Sequence, residues 1–132
     1  QRFPVAGIAT VAVPIASHEE VMDPNVVKVV CNGAGFALYF SRAAIPHCRD
    51  GLPPADTLAG LYRRHLGLYA YRVEVLRRYP RLLPSPAEQR ECLEQLRALH
   101  HGIAIHVQET AEIPPAGVDT EADLIRVSAL LE

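Results

Sequence analysis

The sequence predicts an α/β fold, in which strands and helices alternate along a single domain of 132 residues. Residues 7–15 are apolar and rich in β-branched side chains, which is typical of a buried strand. Residues 85–101 have the start and stop signals of a helix, and a second apolar run, residues 103–107, follows it. Strand-like runs that alternate with helical segments favour a sheet covered by helices.

The first part of the chain is predicted to form a strand, a short helix and a hairpin. The strand covers residues 7–15. Ser17 and Glu20 have the spacing of a capping box and therefore predict the start of a short helix. The runs 26–30 and 36–42 are strand-like, and the sequence NGAG between them is a turn signal, so we expect a β-hairpin.

Prolines, glycines and capping residues define the remaining elements. Residues 46–61 contain several prolines and glycines and are expected to form a mobile loop. Ser85 and Glu88 form a second capping box, and Gly102 ends the helix that it opens. We also expect a strand at 64–72, a helix at 73–79, a strand at 103–107 and a C-terminal helix capped by Thr120.

The predicted strand 64–72 has an unusual pair of faces. Side chains alternate along a strand, so the imidazole of His65 and the phenols of Tyr69 and Tyr71 should point the same way. A row of polar aromatic side chains suggests a pocket wall, although a packed histidine and a packed tyrosine are the simpler interpretation. The opposite face, which we expect to meet the core, carries Leu66, Leu68 and Ala70.

Composition excludes several classes of function. Hydrophobic residues make up 49% and charged residues 21% of the chain, as in an ordinary globular protein. A net charge of −2 gives no reason to expect a nucleic-acid partner. No apolar run approaches the roughly 20 residues that span a bilayer, and no signal peptide is evident, so we expect a cytoplasmic protein. The three cysteines lack a CxxC pair, so neither disulfides nor structural zinc are expected.

Two arginines are candidates for binding an anion. Arg42 ends a predicted strand, and Arg49 lies seven residues later in the proline-bounded loop. Two neighbouring guanidinium groups can hold a carboxylate with paired hydrogen bonds. The simpler alternative is that both are surface arginines with carboxylate neighbours such as Asp50.

Glu94, Gln95 and Asp119 are further candidates, each with a simpler alternative. Glu94 and Gln95 lie opposite and beside the apolar stripe of the helix over 86–101, as residues of a solvated face would. Asp119 precedes the predicted C-terminal helix and has the position of a capping residue. The apolar stripe itself consists of Cys92, Leu93, Leu96 and Leu99.

Five segments in series carry a resemblance to a known family. They read DPNVVKVV, GFALYFSRAAIP, RRHLGLYAYR, PSPAEQRECLEQLRAL and GVDTEADLIRV. In this order they closely resemble the C-terminal half of the 3-deoxy-manno-octulosonate cytidylyltransferases, also called CMP-Kdo synthetases. The resemblance runs from about Val5 to the end of the chain, except for the loop around Gly51 to Leu61.

The resemblance implies an enzyme that activates an acidic sugar. This family couples Kdo to CTP and releases pyrophosphate, for lipopolysaccharide synthesis, with Mg²⁺ as cofactor. The resemblance also implies a nucleotide-diphospho-sugar transferase-like fold, which has a mostly parallel sheet, flanking helices and a small β-rich arm that forms a homodimer. By analogy Asp119 would bind Mg²⁺, and no side chain would act as a covalent nucleophile. The sugar would be held by Arg42, Arg49, His65, Tyr69, Glu94 and Gln95.

The family's first half, which supplies the triphosphate loop and a second magnesium ligand, has no counterpart in these residues. We therefore expect a fragment or a truncated gene product that is inactive alone. Its strand at 7–15 should lack neighbours, so that the chain dimerises or aggregates through an exposed edge. Two alternatives stay open: a cytidylyltransferase for a related sugar (8-amino Kdo or a sialic-like acid), and a non-catalytic dimerisation or sugar-binding remnant.

Overall fold

A mixed five-stranded sheet with flanking helices forms the fold, which confirms the predicted α/β class. A computed structural model describes residues 5–111, and the strand order across its sheet is β3-β2-β4-β1-β5. The predicted hairpin is confirmed, because β2 and β3 pair in antiparallel fashion. The strands are β1 (Ile8–Pro14), β2 (Lys28–Cys31), β3 (Ala37–Ser41), β4 (Arg63–Tyr71) and β5 (Ile105–Glu109).

The helices between residues 5 and 111 are short, and the two predicted N-terminal caps are present. The Ser17 hydroxyl accepts the backbone N–H of Glu20 at 3.1 Å. Ser85 and Glu88 form the complete capping box, in which each side chain accepts the other residue's backbone N–H. The α-helices are α1 (His18–Met22), α2 (Val73–Arg78), α3 (Pro86–Glu91) and α4 (Gln95–His100), and 3₁₀ turns cover Ala55–Gly60 and Tyr79–Arg81.

The central strand is β1, and its pairing corrects two expectations. It lies between β4, which is antiparallel to it, and β5, which is parallel to it. The expectation of an unpaired, exposed strand at 7–15 is therefore wrong. The expectation of a mostly parallel sheet is also wrong for residues 5–111, where β1–β5 is the one parallel pair among the sheet's named strands.

The predicted long helix over 86–101 is broken in two at Cys92. The backbone of Cys92 is left-handed, with φ of 55°, and its N–H caps α3 by donating to the carbonyl of Glu88. Cys92 is consequently exposed rather than part of the apolar stripe, whereas Leu93 and Leu96 are buried as expected. The break separates the helix that carries Glu91 from the helix that begins at Gln95.

The segment 46–61 is more ordered than a mobile loop. It contains the 3₁₀ turn at Ala55–Gly60, and the side chain of Leu58 is completely buried. Tyr62, directly after this segment, is also fully buried, and both pack with Ile15 in a small second core. The predicted C-terminal helix and its cap Thr120 lie outside the described residues.

Strand β4 contains an irregularity that determines which side chains share a face. Thr10 pairs with Tyr69 and Ala12 with His65, so the three β4 residues between these pairs oppose the single residue Val11 of β1. Gly67 lies inside this bulge with φ of +74°, a conformation that L side chains rarely adopt. Because two residues are inserted, His65 and Tyr69 remain on the same face.

The polar aromatic face of β4, rather than the leucine face, meets the main core. Tyr69 and Tyr71 pack against the main hydrophobic core, which contains Phe40, Leu93 and Leu96. Leu66 and Leu68 are only half-buried, and Ala70 is buried on its own side of the strand. The assignment of the leucine face to the core was therefore wrong, while the shared direction of the imidazole and the phenols is confirmed by their ring contacts.

None of the helices between residues 5 and 111 has the length and hydropathy of a transmembrane segment.

Replacing Gly67 with alanine should lower the free energy of unfolding by about 1 kcal/mol, because a Cβ strains the left-handed backbone. No heavy atom lies within 4 Å of the added Cβ, so steric contact contributes nothing further. The matched control is Gly33→Ala, which is equally open but lacks the positive φ. Chemical denaturation of both variants measures the difference, and an equal effect at the two positions would contradict the role given to the bulge.

Candidate functional site

A continuous row of aromatic side chains crosses the sheet from β3 to the turn after α2. Neighbouring ring centroids are 4.8, 5.3, 5.7 and 6.3 Å apart along the row. These separations are typical of packed aromatic pairs, with tilted or edge-to-face orientations. We call this set the aromatic row; its members in order are Phe40, His65, Tyr69, Tyr71 and Tyr79.

A small cavity lies between the tyrosines of the aromatic row and the start of α4. Its volume is about 50 Å³. The cavity combines phenol rings with one carboxylate and one amide, which are groups that donate and accept hydrogen bonds to hydroxyls. It is lined by Ile8, Tyr69, Tyr71, Tyr79, Glu94 and Gln95.

Four of the six predicted sugar-binding residues thus come together. Tyr69, Glu94 and Gln95 line the cavity directly, and His65 lies behind Tyr69 with its ring centroid 5.3 Å from the phenol ring. His65 itself, Arg42 and Arg49 are not among the residues that line it.

His65 is held by one hydrogen bond and by burial. Its Nε2 lies 2.8 Å from the hydroxyl of Thr10, and its side chain packs edge-on against Phe40. Burial disfavours the charged imidazolium and lowers the pKa of His65 to about 4. The imidazole is therefore neutral at pH 7 and is a weak base, because a base works best with a pKa near the working pH.

The tyrosines of the cavity stay protonated at neutral pH. Burial raises the pKa of Tyr69, with smaller contributions from Tyr71, Tyr79 and the charge of Glu94. Burial and the same carboxylate raise the pKa of Tyr71, and they raise that of Tyr79 to about 12. The three phenols consequently act as neutral hydrogen-bonding groups rather than as phenolates.

Glu94 and Gln95 reach the cavity because of the helix break and a set of supporting contacts. The hydroxyl of Tyr79 donates to the backbone carbonyl of Glu94 at 3.0 Å. The guanidinium carbon of Arg97 lies over the Tyr79 ring, 5.7 Å from the ring centroid. Arg97 in turn forms two hydrogen bonds, of 3.0 and 2.6 Å, to the carboxylate of Glu88 in the capping box. These contacts involve the backbone carbonyl of Glu94 and the side chains of its neighbours, while the Glu94 side chain is exposed, as on a solvated helix face.

Arg42 is engaged with backbone carbonyls. Its guanidinium donates to the carbonyls of Glu91 at 2.7 Å, Pro24 at 3.0 Å and Cys92 at 3.3 Å. It therefore holds the end of β3 against the break between α3 and α4. Three of its five N–H donors are used in this way.

Glu91 is a structural residue that the sequence analysis did not single out. Its carboxylate accepts the hydroxyls of Ser41 at 2.6 Å and Tyr39 at 3.2 Å, and the backbone N–H of Arg42 at 3.1 Å. Burial opposes ionisation, but these hydrogen bonds together outweigh it and lower the pKa of Glu91. The partners lie about fifty residues earlier, so no local signal could have revealed them.

Arg49 is an exposed residue of the loop after β3. Its side chain is 90% exposed and lies 3.4 Å from the carboxylate of Asp50. An exposed pair of this kind contributes little to stability, because water and salt screen it. The guanidinium is thus available to a ligand, whereas that of Arg42 already donates to three backbone carbonyls.

Asp119, the predicted magnesium ligand, lies outside the described residues. Within residues 5–111 no group of three or more His, Cys, Asp or Glu side chains could hold a metal ion.

Two further residues of the site were missed at the sequence level. Tyr79 was assigned only to a helix end, and Thr10 only to an apolar strand. Thr10 carried a signal, because it is the one hydroxyl in the run IATVAVP and a fully buried hydroxyl needs a partner.

The free energy of unfolding should decrease as the pH is lowered from 7 to 5, because of the buried imidazole of His65. Its pKa of about 4 in the folded chain lies below the unfolded value of 6.5. As pH drops through 6.5, the unfolded chain binds a proton that the folded chain does not, so folding weakens until pH 4 is reached. The expected loss at pH 5 is about 2 kcal/mol.

Chemical denaturation at pH 7 and pH 5 measures this loss, and His65→Gln should remove it. The exposed histidine variant His47→Gln is the matched control and should keep the wild-type pH dependence. Glu88 and Glu91 have lowered pKa values, so their contributions are lost at lower pH and equally in each variant. A wild-type pH dependence that survives in His65→Gln would contradict the assignment to this imidazole.

Comparison with known proteins identifies the relatives of this fold. A family model described as Cytidylyltransferase matches residues 4–107. The 3-deoxy-manno-octulosonate cytidylyltransferase of Nitrosococcus oceani is 57% identical over 97% of this chain, and that of Dichelobacter nodosus is 53% identical over 95%. These matches cover 51% and 48% of the two relatives, so the chain spans about half the length of the curated relatives it matches.

A solved structure agrees with these sequence matches. The structure of a CMP:2-keto-3-deoxy-manno-octonic acid synthetase complexed with CTP is 44% identical to this chain. It covers 97% of this chain with a TM-score of 0.74, and the match takes up 50% of that protein. The resemblance found in the five sequence segments is thereby confirmed, and the chain belongs to the cytidylyltransferase family.

Proposed function

We propose that this chain provides the acidic-sugar site of a cytidylyltransferase that joins Kdo to CTP, giving CMP-Kdo and pyrophosphate. The observation that carries the proposal is the cavity in which Tyr69 faces Glu94 and Gln95. Its carboxylate, amide and neutral phenols match the hydroxyl groups of a sugar. Relatives of the same family are named as enzymes of this reaction.

In the proposed reaction the sugar's anomeric hydroxyl attacks the α-phosphorus of CTP. The new oxygen–phosphorus bond forms as the bond to pyrophosphate breaks, and the hydroxyl proton passes to solvent. Such transfers depend on positioning and charge neutralisation rather than on a covalent protein intermediate. Glu94 and Gln95 would hold sugar hydroxyls, and Tyr69 would pack against the sugar ring. The low pKa of His65, about 4, supports a binding role over proton abstraction.

The arginines take unequal parts in this proposal. Arg49 is assigned to the sugar's carboxylate, because its side chain is 90% exposed and its partner within residues 5–111 is a neighbouring surface carboxylate. Arg42 is assigned a weaker contact with the sugar, because three carbonyls already accept hydrogen bonds from its guanidinium.

Magnesium and dimerisation belong to the same proposal. Asp119 would contribute one oxygen ligand to Mg²⁺, which typically takes one or two carboxylates and, when bound, supplies neutralisation of the triphosphate charge. The hairpin β2–β3 is the proposed dimerisation arm, and Leu38, 61% exposed on β3, offers it an apolar contact. All other roles in this proposal, which concern the binding of the sugar, belong to side chains of this chain.

A chimera tests the proposed function directly. In the Nitrosococcus oceani relative, the half that aligns with this chain is replaced by this chain, and formation of CMP-Kdo from CTP and Kdo is measured. We expect turnover, because the two proteins are 57% identical over 97% of this chain. A folded chimera that binds CTP but does not turn over Kdo would overturn the proposal; turnover of 8-amino Kdo or a sialic acid instead would reassign the sugar.

Within the chimera, Glu94→Gln should raise the KM for Kdo by about tenfold and leave the KM for CTP unchanged. Replacing the carboxylate weakens charge-assisted hydrogen bonds to sugar hydroxyls. Glu19→Gln is the matched control, because Glu19 is an exposed carboxylate of α1 away from the cavity. Equal KM values for Kdo in the two variants would show that Glu94 does not contribute to binding the sugar.

Arg49→Ala should reduce kcat/KM for Kdo by about tenfold or more, while CTP binding persists. The loss reflects a missing guanidinium–carboxylate pair in the complex with the sugar. Arg77→Ala serves as the control, because it removes another exposed arginine side chain, from the last turn of α2. Unchanged Kdo kinetics in Arg49→Ala would show that Arg49 is a surface arginine without a role in sugar binding.

A further inference from the structure

Two short hydrogen bonds at Thr10 define where the proton of His65 lies. The Thr10 hydroxyl is 2.6 Å from the carbonyl oxygen of Leu68 and 2.8 Å from Nε2 of His65. A carbonyl oxygen only accepts, so the single hydroxyl proton must be donated to Leu68. The hydroxyl oxygen can then only accept from His65, and Nε2 must carry a proton.

The other ring nitrogen is consequently an acceptor. The imidazole is neutral at pH 7, so a proton on Nε2 leaves Nδ1 with a lone pair. Between residues 5 and 111 no group donates a hydrogen bond to Nδ1, and in that range no buried side-chain nitrogen or oxygen lacks a partner. Nδ1 therefore keeps contact with solvent, within the 8% of His65 that is exposed.

We propose that Thr10 is a positioning residue, which holds His65 as the Nε2–H tautomer so that Nδ1 accepts a hydrogen bond from a hydroxyl of the bound sugar. The inference rests on the proposed function for the identity of the donor, but the tautomer itself rests only on the geometry of Thr10. An acceptor at this position selects hydroxyl or amine donors and disfavours a carboxylate.

The bulge in β4 makes this arrangement possible. Thr10 pairs with Tyr69, and the two extra residues of β4 between Tyr69 and His65 turn the carbonyl of Leu68 toward the Thr10 hydroxyl. Thr10 is completely buried, so its hydroxyl has no water as an alternative partner. The direction of both hydrogen bonds is thus determined by the protein alone.

The tautomer is measured by nitrogen NMR of the chain labelled at its six histidines, with His65 assigned by comparison with His65→Gln. We expect the wild-type imidazole of His65 to show protonated Nε2 and unprotonated Nδ1 at pH 7. A signal from the opposite tautomer, or from an equal mixture, overturns the inference. This measurement needs no sugar and no variant of Thr10.

The consequence for sugar binding is tested with two substitutions in the chimera. Thr10→Val removes the hydroxyl at nearly constant shape, so Nε2 loses its acceptor and the tautomers should mix. We expect the KM for Kdo to rise about tenfold, with kcat and the KM for CTP changed less than twofold. Thr10→Ser keeps the hydroxyl and should restore both the tautomer and the KM. If Thr10→Val fails to fold, the wild-type spectrum still decides the tautomer of His65, and Thr10→Ser still tests whether a hydroxyl at this position maintains the KM for Kdo.

The outcomes separate this inference from the proposed function. An inactive wild-type chimera with the expected tautomer would overturn the proposed function and leave the role of Thr10 toward His65 intact. An active chimera in which Thr10→Val mixes the tautomers but leaves the KM for Kdo unchanged would overturn the role of Nδ1 in binding.

Discussion

The two extra residues of β4 are the constraint on which the site depends. They let His65 and Tyr69 stay on one face while the strand remains paired with β1 on both sides of the bulge. They also release the carbonyl of Leu68 from the regular ladder, so that Thr10 can hold it. Gly67 adopts the positive φ that this path requires, which a residue with a Cβ would adopt only with strain. Without the bulge, regular pairing with β1 would give different neighbours to the aromatic row and to the buried hydroxyl of Thr10.

The opposite wall of the cavity depends on charged side chains that brace the broken helix. Glu91 joins the end of α3 to β3, and Arg97 joins α4 to the capping box through Glu88. Each carboxylate accepts several hydrogen bonds, and the pKa of each is lowered accordingly. A continuous helix would have placed Glu91, Glu94 and Gln95 on one face. The left-handed residue at Cys92 instead sends Glu91 to the hairpin and Glu94 to the cavity.

Local signals in the sequence predicted local structure well and long-range structure poorly. The two capping residues Ser17 and Ser85 and the hairpin turn were predictable because their partners lie within four residues. The helix break was not, because Cys92 adopts a conformation that usually marks glycine. The sequence of β4 showed which side chains share a face, yet the face that meets the core depends on α4, which lies elsewhere in the chain. The pairing of β1 with β5 likewise joins residues about a hundred positions apart.

The charges around the cavity restrict the orientation of the acidic sugar that we propose as its ligand. Glu94 is an exposed carboxylate at the cavity wall, and a sugar carboxylate placed beside it would be repelled. The three tyrosines are neutral and His65 carries no positive charge at pH 7, so none of these groups offsets that repulsion. In the proposed complex the sugar's hydroxyls would therefore face Glu94, and its carboxylate would point away from the aromatic row. An exposed arginine outside the cavity, such as Arg49, is a group that can meet a carboxylate in that orientation.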